Sequence, residues 1–100
     1  MFLVIWEFRV RDGCTEEFER LYGPDGEWSK LFREGEGWRG TELWRDESLP
    51  RRYITLDRWE SAEAYRQFKR DFRQAYEALD ARCQALSESE KKIGEFVGLE

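Results

Sequence analysis

The segment Phe2–Val10 constrains this chain more than any other. At a period of two, Phe2, Val4, Trp6, Phe8 and Val10 fall on one face. Leu3 and Ile5 fall on the other, so the first half of the strand is apolar on both sides. Such a strand needs cover above and below it.

The remaining elements follow in order. Asp12-Gly13 ends the strand, and Thr15 is placed to cap a helix that has Glu16 and Glu17 in its first turn. This helix runs through Phe18, Leu21 and Tyr22 and breaks at the turn residues Gly23 to Gly26. The break reads either as a pocket lid or as a bend that keeps Trp28 on the core. A second short helix, Trp28 to Phe32, precedes strands at Trp38 to Arg45 and Arg52 to Trp59, which pair as a hairpin. Ser61 caps the longest helical pattern, expected over about Ala62 to Ser87. Its stripe is Tyr65, Phe68, Phe72, Ala75, Tyr76, Leu79, Cys83 and Leu86. A last strand is expected over Ile93 to Leu99.

The order β-α-β-β-α-β is that of an α+β, ferredoxin-like domain occupying residues 1–100 as one unit. Right-handed crossovers put both helices on one face of a four-stranded antiparallel sheet. The other face is left bare, and pairing two copies through it to form a homodimer is the simplest remedy.

Composition removes several function classes. The chain has no histidine and no asparagine. Ser-His and Cys-His nucleophile systems, imidazole acid/base catalysis and histidine-based metal or haem ligation are therefore excluded. A net charge of −5 disfavours nucleic acid as a partner. No run approaches the length of a membrane span, and no basic region or cleavage site flanks the first strand, so a cytoplasmic protein is expected. Cys14 and Cys83 lack metal or redox spacing and read as free thiols.

Four stretches carry a family resemblance: Val10 to Gly13 with Glu16-Glu17-Phe18, Gly37 to Leu43, Arg52 to Ser61, and Ala64 to Phe68. Together they resemble the antibiotic biosynthesis monooxygenase family, whose members are dimeric α+β barrels. The best-described enzymes of that family oxygenate polycyclic phenols with no metal or flavin. The resemblance thus implies no cofactor, a small aromatic or quinone-like substrate, and a phenolate that itself donates an electron to O2. It also implies roles for Trp59 at the end of the third strand and Tyr65 at the start of the following helix. Thr55 stands where the family has an Asn, with a shorter reach and one donor in place of two. The haem-degrading branch needs a His, an Asn and a helix Trp; the first two are missing, and Phe68 sits near the position of the third.

Each candidate also has a plainer reading. Trp59 suits packing of sheet against helices, and Tyr65 suits a core position with a buried hydroxyl. Trp6, Trp38, Trp44 and Phe68 suit either a core or a flat aromatic ligand. Asp57 and Glu42 are expected on the face of those tryptophans, where a carboxylate with a raised pKa can act as a base. Glu7 and Arg58 are expected to form an ion pair if strands 1 and 3 are parallel neighbours. Arg66, Lys69, Arg70 and Arg73 form a basic stripe that reads as a solvated helix face, with an acidic ligand or the partner subunit as the alternatives. A non-catalytic dimer that binds a small hydrophobic molecule, and a carboxylate-dependent isomerase or cyclase, use the same fold and remain open alternatives.

Overall fold

A computed structural model describes residues 1–99. The elements are β1 (Phe2–Val10), α1 (Thr15–Tyr22), α2 (Glu27–Phe32), β2 (Trp38–Arg45), β3 (Arg52–Trp59), α3 (Ala62–Asp71), α4 (Arg73–Cys83) and β4 (Ser87–Val97). The strands form one sheet in the order β2-β3-β1-β4, antiparallel throughout. This is the ferredoxin-like α+β arrangement expected from the sequence.

The sheet has one covered face. Phe2, Val4, Phe8 and Val10 of β1, with Tyr53, Thr55, Asp57 and Trp59 of β3, are buried there. Phe18, Leu21 and Tyr22 of α1, Trp28 and Phe32 of α2, and Tyr65 and Phe68 of α3 pack onto them. Much of this core is ring against ring. Phe18 stacks on Tyr22 with centroids 4.2 Å apart, and Phe32 meets Trp59 and Phe68 edge-on at 5.6 and 5.5 Å. Such pairs add about 0.5–1.5 kcal/mol each beyond the burial of their area.

On the opposite face Leu3, Ile5, Ile54 and Leu56 are half-buried, with no helix over them. Trp44 is 59% exposed on that side, because β2 sets it opposite Ile54. Ion pairs flank the apolar strip: Arg52 bridges Glu7 at 2.5 Å and Asp46 at 2.7 Å, and Arg58 meets Glu42 at 2.7 Å.

Several expectations are corrected. Glu7 and Arg58 do not pair. The register is antiparallel and sets Glu7 opposite Ile54, so the cation within its diagonal reach is Arg52. Thr15 is the first helical residue and makes no cap; Cys14 occupies the cap position without a side-chain bond. Ser61 does cap α3, its Oγ accepting from the Ala64 N–H at 3.1 Å.

The long helix is two helices. Phe72 leaves helical geometry at φ −115°, ψ 28°, while its carbonyl accepts from the Tyr76 N–H and starts α4. The apolar stripe continues through the break, so periodicity registers the face but not the backbone at Phe72. A 3-10 turn over 84–86 then leads directly into β4, which begins at Ser87 rather than Ile93. Its first half, Ser-Glu-Ser-Glu-Lys-Lys, has no strand-like apolar alternation. As an edge strand it needs only backbone pairing to β1.

One close approach locks α3 to the sheet. A Cβ at Gly37 would lie 2.3 Å from the Ala64 Cβ, so only glycine lets the start of β2 pass beneath the helix.

Candidate functional site

A cavity of about 260 Å³ lies between the covered face of the sheet and the helices. Trp6, Phe8, Tyr22, Trp28, Phe32, Tyr65 and Tyr76 give it aromatic walls, and Thr41, Thr55 and Asp57 supply a polar patch on the sheet. Strand geometry explains the patch. Thr55 and Asp57 alternate inward with Tyr53 and Trp59, and the β2–β3 register sets Thr41 directly opposite Asp57.

Asp57 is 8% exposed. Its hydrogen-bond partner is Thr41, whose hydroxyl donates to Oδ1 at 3.0 Å. The Thr41 oxygen in turn accepts from the Trp38 indole Nε1–H at 3.1 Å, which orients the hydroxyl toward the carboxylate. No cation pairs with Asp57 among the described residues. Burial therefore pushes its pKa up to about 7, against a small opposing effect of the Thr41 bond. A carboxyl group poised near neutrality can take a proton from a phenol and later return it. Glu42 plays no part in this arrangement. It lies on the opposite face, bound to Arg58 and the Trp44 indole, which hold its pKa below the usual carboxylate range.

Two cavity tyrosines keep their hydroxyl protons and can donate them to a ligand oxygen. Burial pushes the Tyr65 hydroxyl up to about 12 and raises Tyr76 further, so both stay protonated at neutral pH. Burial also raises Glu90 on β4, and it lowers Lys69 on α3.

The sequence-predicted residues divide as follows. Thr55, Asp57, Tyr65 and Trp6 line one cavity together. Trp59 is 0% exposed and lies behind the wall, packed on Phe32, Tyr65 and Phe68. Phe68 is a core residue beside it. Trp38 reaches the site only through Thr41, and Trp44 is on the other side of the sheet.

Sequence reasoning missed Thr41, Trp28 and Tyr76 as cavity residues, and it did not separate Lys69 from its basic stripe. Thr41 needed the hairpin register. Lys69 carried a readable signal: it follows Tyr65 by four residues and so shares its helix face. The Gly23–Gly26 break is a bend of the chain. The Gly26 N–H bonds the Gly23 carbonyl at 2.9 Å, the buried Ser29 hydroxyl donates to that same carbonyl at 3.1 Å, and Trp28 is brought into the cavity wall.

Fold and site together define a small α+β domain that holds an aromatic-walled cavity, open on one side, whose sheet carries a buried carboxyl group with no counter-cation among the described residues. Residues 1–78 match the antibiotic biosynthesis monooxygenase family, and the chain belongs to that family. Solved structures share its fold. SnoaB, a cofactor-independent oxygenase from Streptomyces nogalater, is 19% identical, with 99% of this chain and 93% of that one covered at a TM-score of 0.70. A putative antibiotic biosynthesis monooxygenase from Deinococcus radiodurans is 15% identical over 100% and 94% of the two chains, with a TM-score of 0.77. MhuD, crystallised with manganese protoporphyrin IX, is 20% identical over 100% and 96%, with a TM-score of 0.73. No curated protein matches the chain in sequence. Among the described residues, no helix is long and apolar enough to cross a membrane.

Proposed function

We propose that this chain is a cofactor-independent monooxygenase acting on a small phenolic, quinone-forming aromatic compound, and that it works as a homodimer. The observation that carries the reading is Asp57: a buried carboxyl group with no counter-cation, facing an aromatic-walled cavity and titrating near neutral pH. Family membership and the fold shared with a cofactor-independent oxygenase support it.

For a hydroxyanthracene the chemistry balances without an added reductant. Asp57 takes the phenolic proton. The phenolate passes one electron to O2, and the resulting superoxide and ring radical combine to form a C–O bond. Asp57 returns its proton to the peroxide. The O–O bond breaks as the ring C–H proton departs, giving a second carbonyl and one molecule of water. Thr55 and Tyr65 supply hydroxyl donors for the substrate oxygen as charge develops on it. Incubation with hydroxynaphthalenes and hydroxyanthracenes, followed by O2 uptake, tests this. Quenching of tryptophan fluorescence with no oxygen consumed would favour a ligand-binding protein instead.

The dimer reading rests on the uncovered strip of Leu3, Ile5, Ile54 and Leu56. Wild-type protein is expected to sediment as a dimer at micromolar concentration and Leu56→Asp as a monomer. A monomeric wild type would rule the dimer out.

A further inference from the structure

Lys69 is the one cation lining the cavity among the described residues. Its Nζ lies 4.5 Å from the centre of the Tyr76 ring and 5.6 Å from that of Tyr65. Ring faces hold an ammonium electrostatically but leave its N–H groups without an acceptor. The neighbouring cations already have partners. Arg66 meets Glu95 at 3.6 Å, Arg70 meets Glu63 at 3.3 Å, Arg73 meets Glu77 at 3.2 Å, and Lys92 bonds Glu95. Lys69 forms no ion pair among the described residues.

A second hollow opens on the surface beside the cavity, lined by Lys69, Arg70, Arg73, Tyr76 and Glu77. Lys69 and Tyr76 belong to both hollows, so they stand where one meets the other. Arg70 and Arg73 in the outer hollow are engaged by Glu63 and Glu77, which leaves Lys69 as its cation without an ion-pair partner, on a chain whose net charge is −5. An ammonium without an ion-pair partner is the group at that spot able to take an anion.

We propose that Lys69 and Tyr76 form the doorway of the cavity and that its ligand is an aromatic carboxylate. The ring enters, and the carboxylate stays at the doorway on Lys69, with Arg70 and Arg73 behind it. This deepens the reading above by naming the substrate's second group, and it rests on the same cavity. An anion beside Lys69 also returns a counter-charge to an ammonium that burial disfavours. Asp80 and Glu90 line the inner cavity as well, so an amine-bearing ring is the rival ligand.

Anaerobic calorimetric titration with three probes separates these: 6-hydroxy-2-naphthoate, its neutral carboxamide, and 6-(aminomethyl)-2-naphthol. The carboxylate is expected to bind at least about tenfold more tightly than the amide, by a margin that shrinks as salt is added. Lys69→Met should erase that margin while leaving amide affinity within about twofold, and Lys69→Arg should keep it. The salt series on wild-type protein draws the same distinction without any variant. Equal affinities, a margin that survives Lys69→Met, tightest binding of the amine, or no binding of any probe would overturn the proposal. Because no oxygen is present, the outcome is independent of turnover. A carboxylate preference without oxygen uptake leaves this inference standing and removes the oxygenase reading.

Discussion

Asp57→Asn is expected to lower kcat/KM for phenol oxygenation by about 10²–10⁴-fold, the usual contribution of a positioned general acid or base. In the wild type the rate is expected to rise with pH up to about 7, where the carboxyl ionises, and to level off above it. The variant loses that rise and becomes flat across the same range. Thr55→Ala and Tyr65→Phe, which remove donors and leave the base in place, keep the pH profile and lose less.

Stability moves the opposite way, and the sign follows from linkage. Folding raises the Asp57 pKa from 3.8 to about 7. A carboxyl whose pKa is raised by folding contributes stability below its unfolded value and loses it as pH rises through the folded value. The loss for Asp57 is up to about 4 kcal/mol between pH 4 and pH 8, at 1.36 kcal/mol per unit. Asn keeps the acceptor for the Thr41 hydroxyl and carries no charge. Asp57→Asn is therefore expected to be more stable than wild type at pH 8 by about 2–4 kcal/mol, with the gap closing toward pH 4. Urea titration at the two pH values checks this. A variant that is less stable at pH 8 would mean that the carboxylate is better solvated than its burial implies.

The second large effect belongs to Trp59. Trp59→Ala removes the ring on which Phe32, Tyr65 and Phe68 converge, and it is expected to cost about 3–5 kcal/mol. Small domains hold only about 5–15 kcal/mol in total, so this variant is expected to be largely unfolded at 37 °C. Trp59→Phe is the informative partner. Its indole Nε1–H is buried without a hydrogen-bond partner, so Phe gives up ring volume and no polar contact. Trp59→Phe is expected to lower the Tm but keep oxygen uptake within about threefold. A folded Trp59→Phe protein with its rate down a hundredfold would give Trp59 a direct role in the chemistry.

The fold was legible because its signals are local. Period-two alternation marked β1 and β3 to the residue, turn residues on either side bounded β2, and Ser61 announced α3. β4 was misjudged because the polar Ser87 to Lys92 stretch is held by backbone bonds to β1, which leave no hydrophobic pattern in the sequence. The site was legible in part for a related reason. Alternation along β3 put Thr55 and Asp57 on one face, but which face received Trp44 and Glu42 depended on the hairpin register with β2. The Trp38–Thr41–Asp57 chain is likewise a cross-strand fact. Lys69 read as one of four solvated basic residues because a helix stripe does not say which side chain folds inward over neighbouring rings.

Asp57 must serve oxygen transfer in the absence of metal and flavin if the proposed chemistry holds. The direct measurement is turnover of 9-hydroxyanthracene under ¹⁸O₂ by protein freed of metals with a chelator. The expected result is one labelled oxygen in the quinone and one in water, with one O2 consumed per product and a rate about 10²–10⁴-fold lower in Asp57→Asn. Binding of the compound without labelled product, or equal turnover by Asp57→Asn, would contradict it.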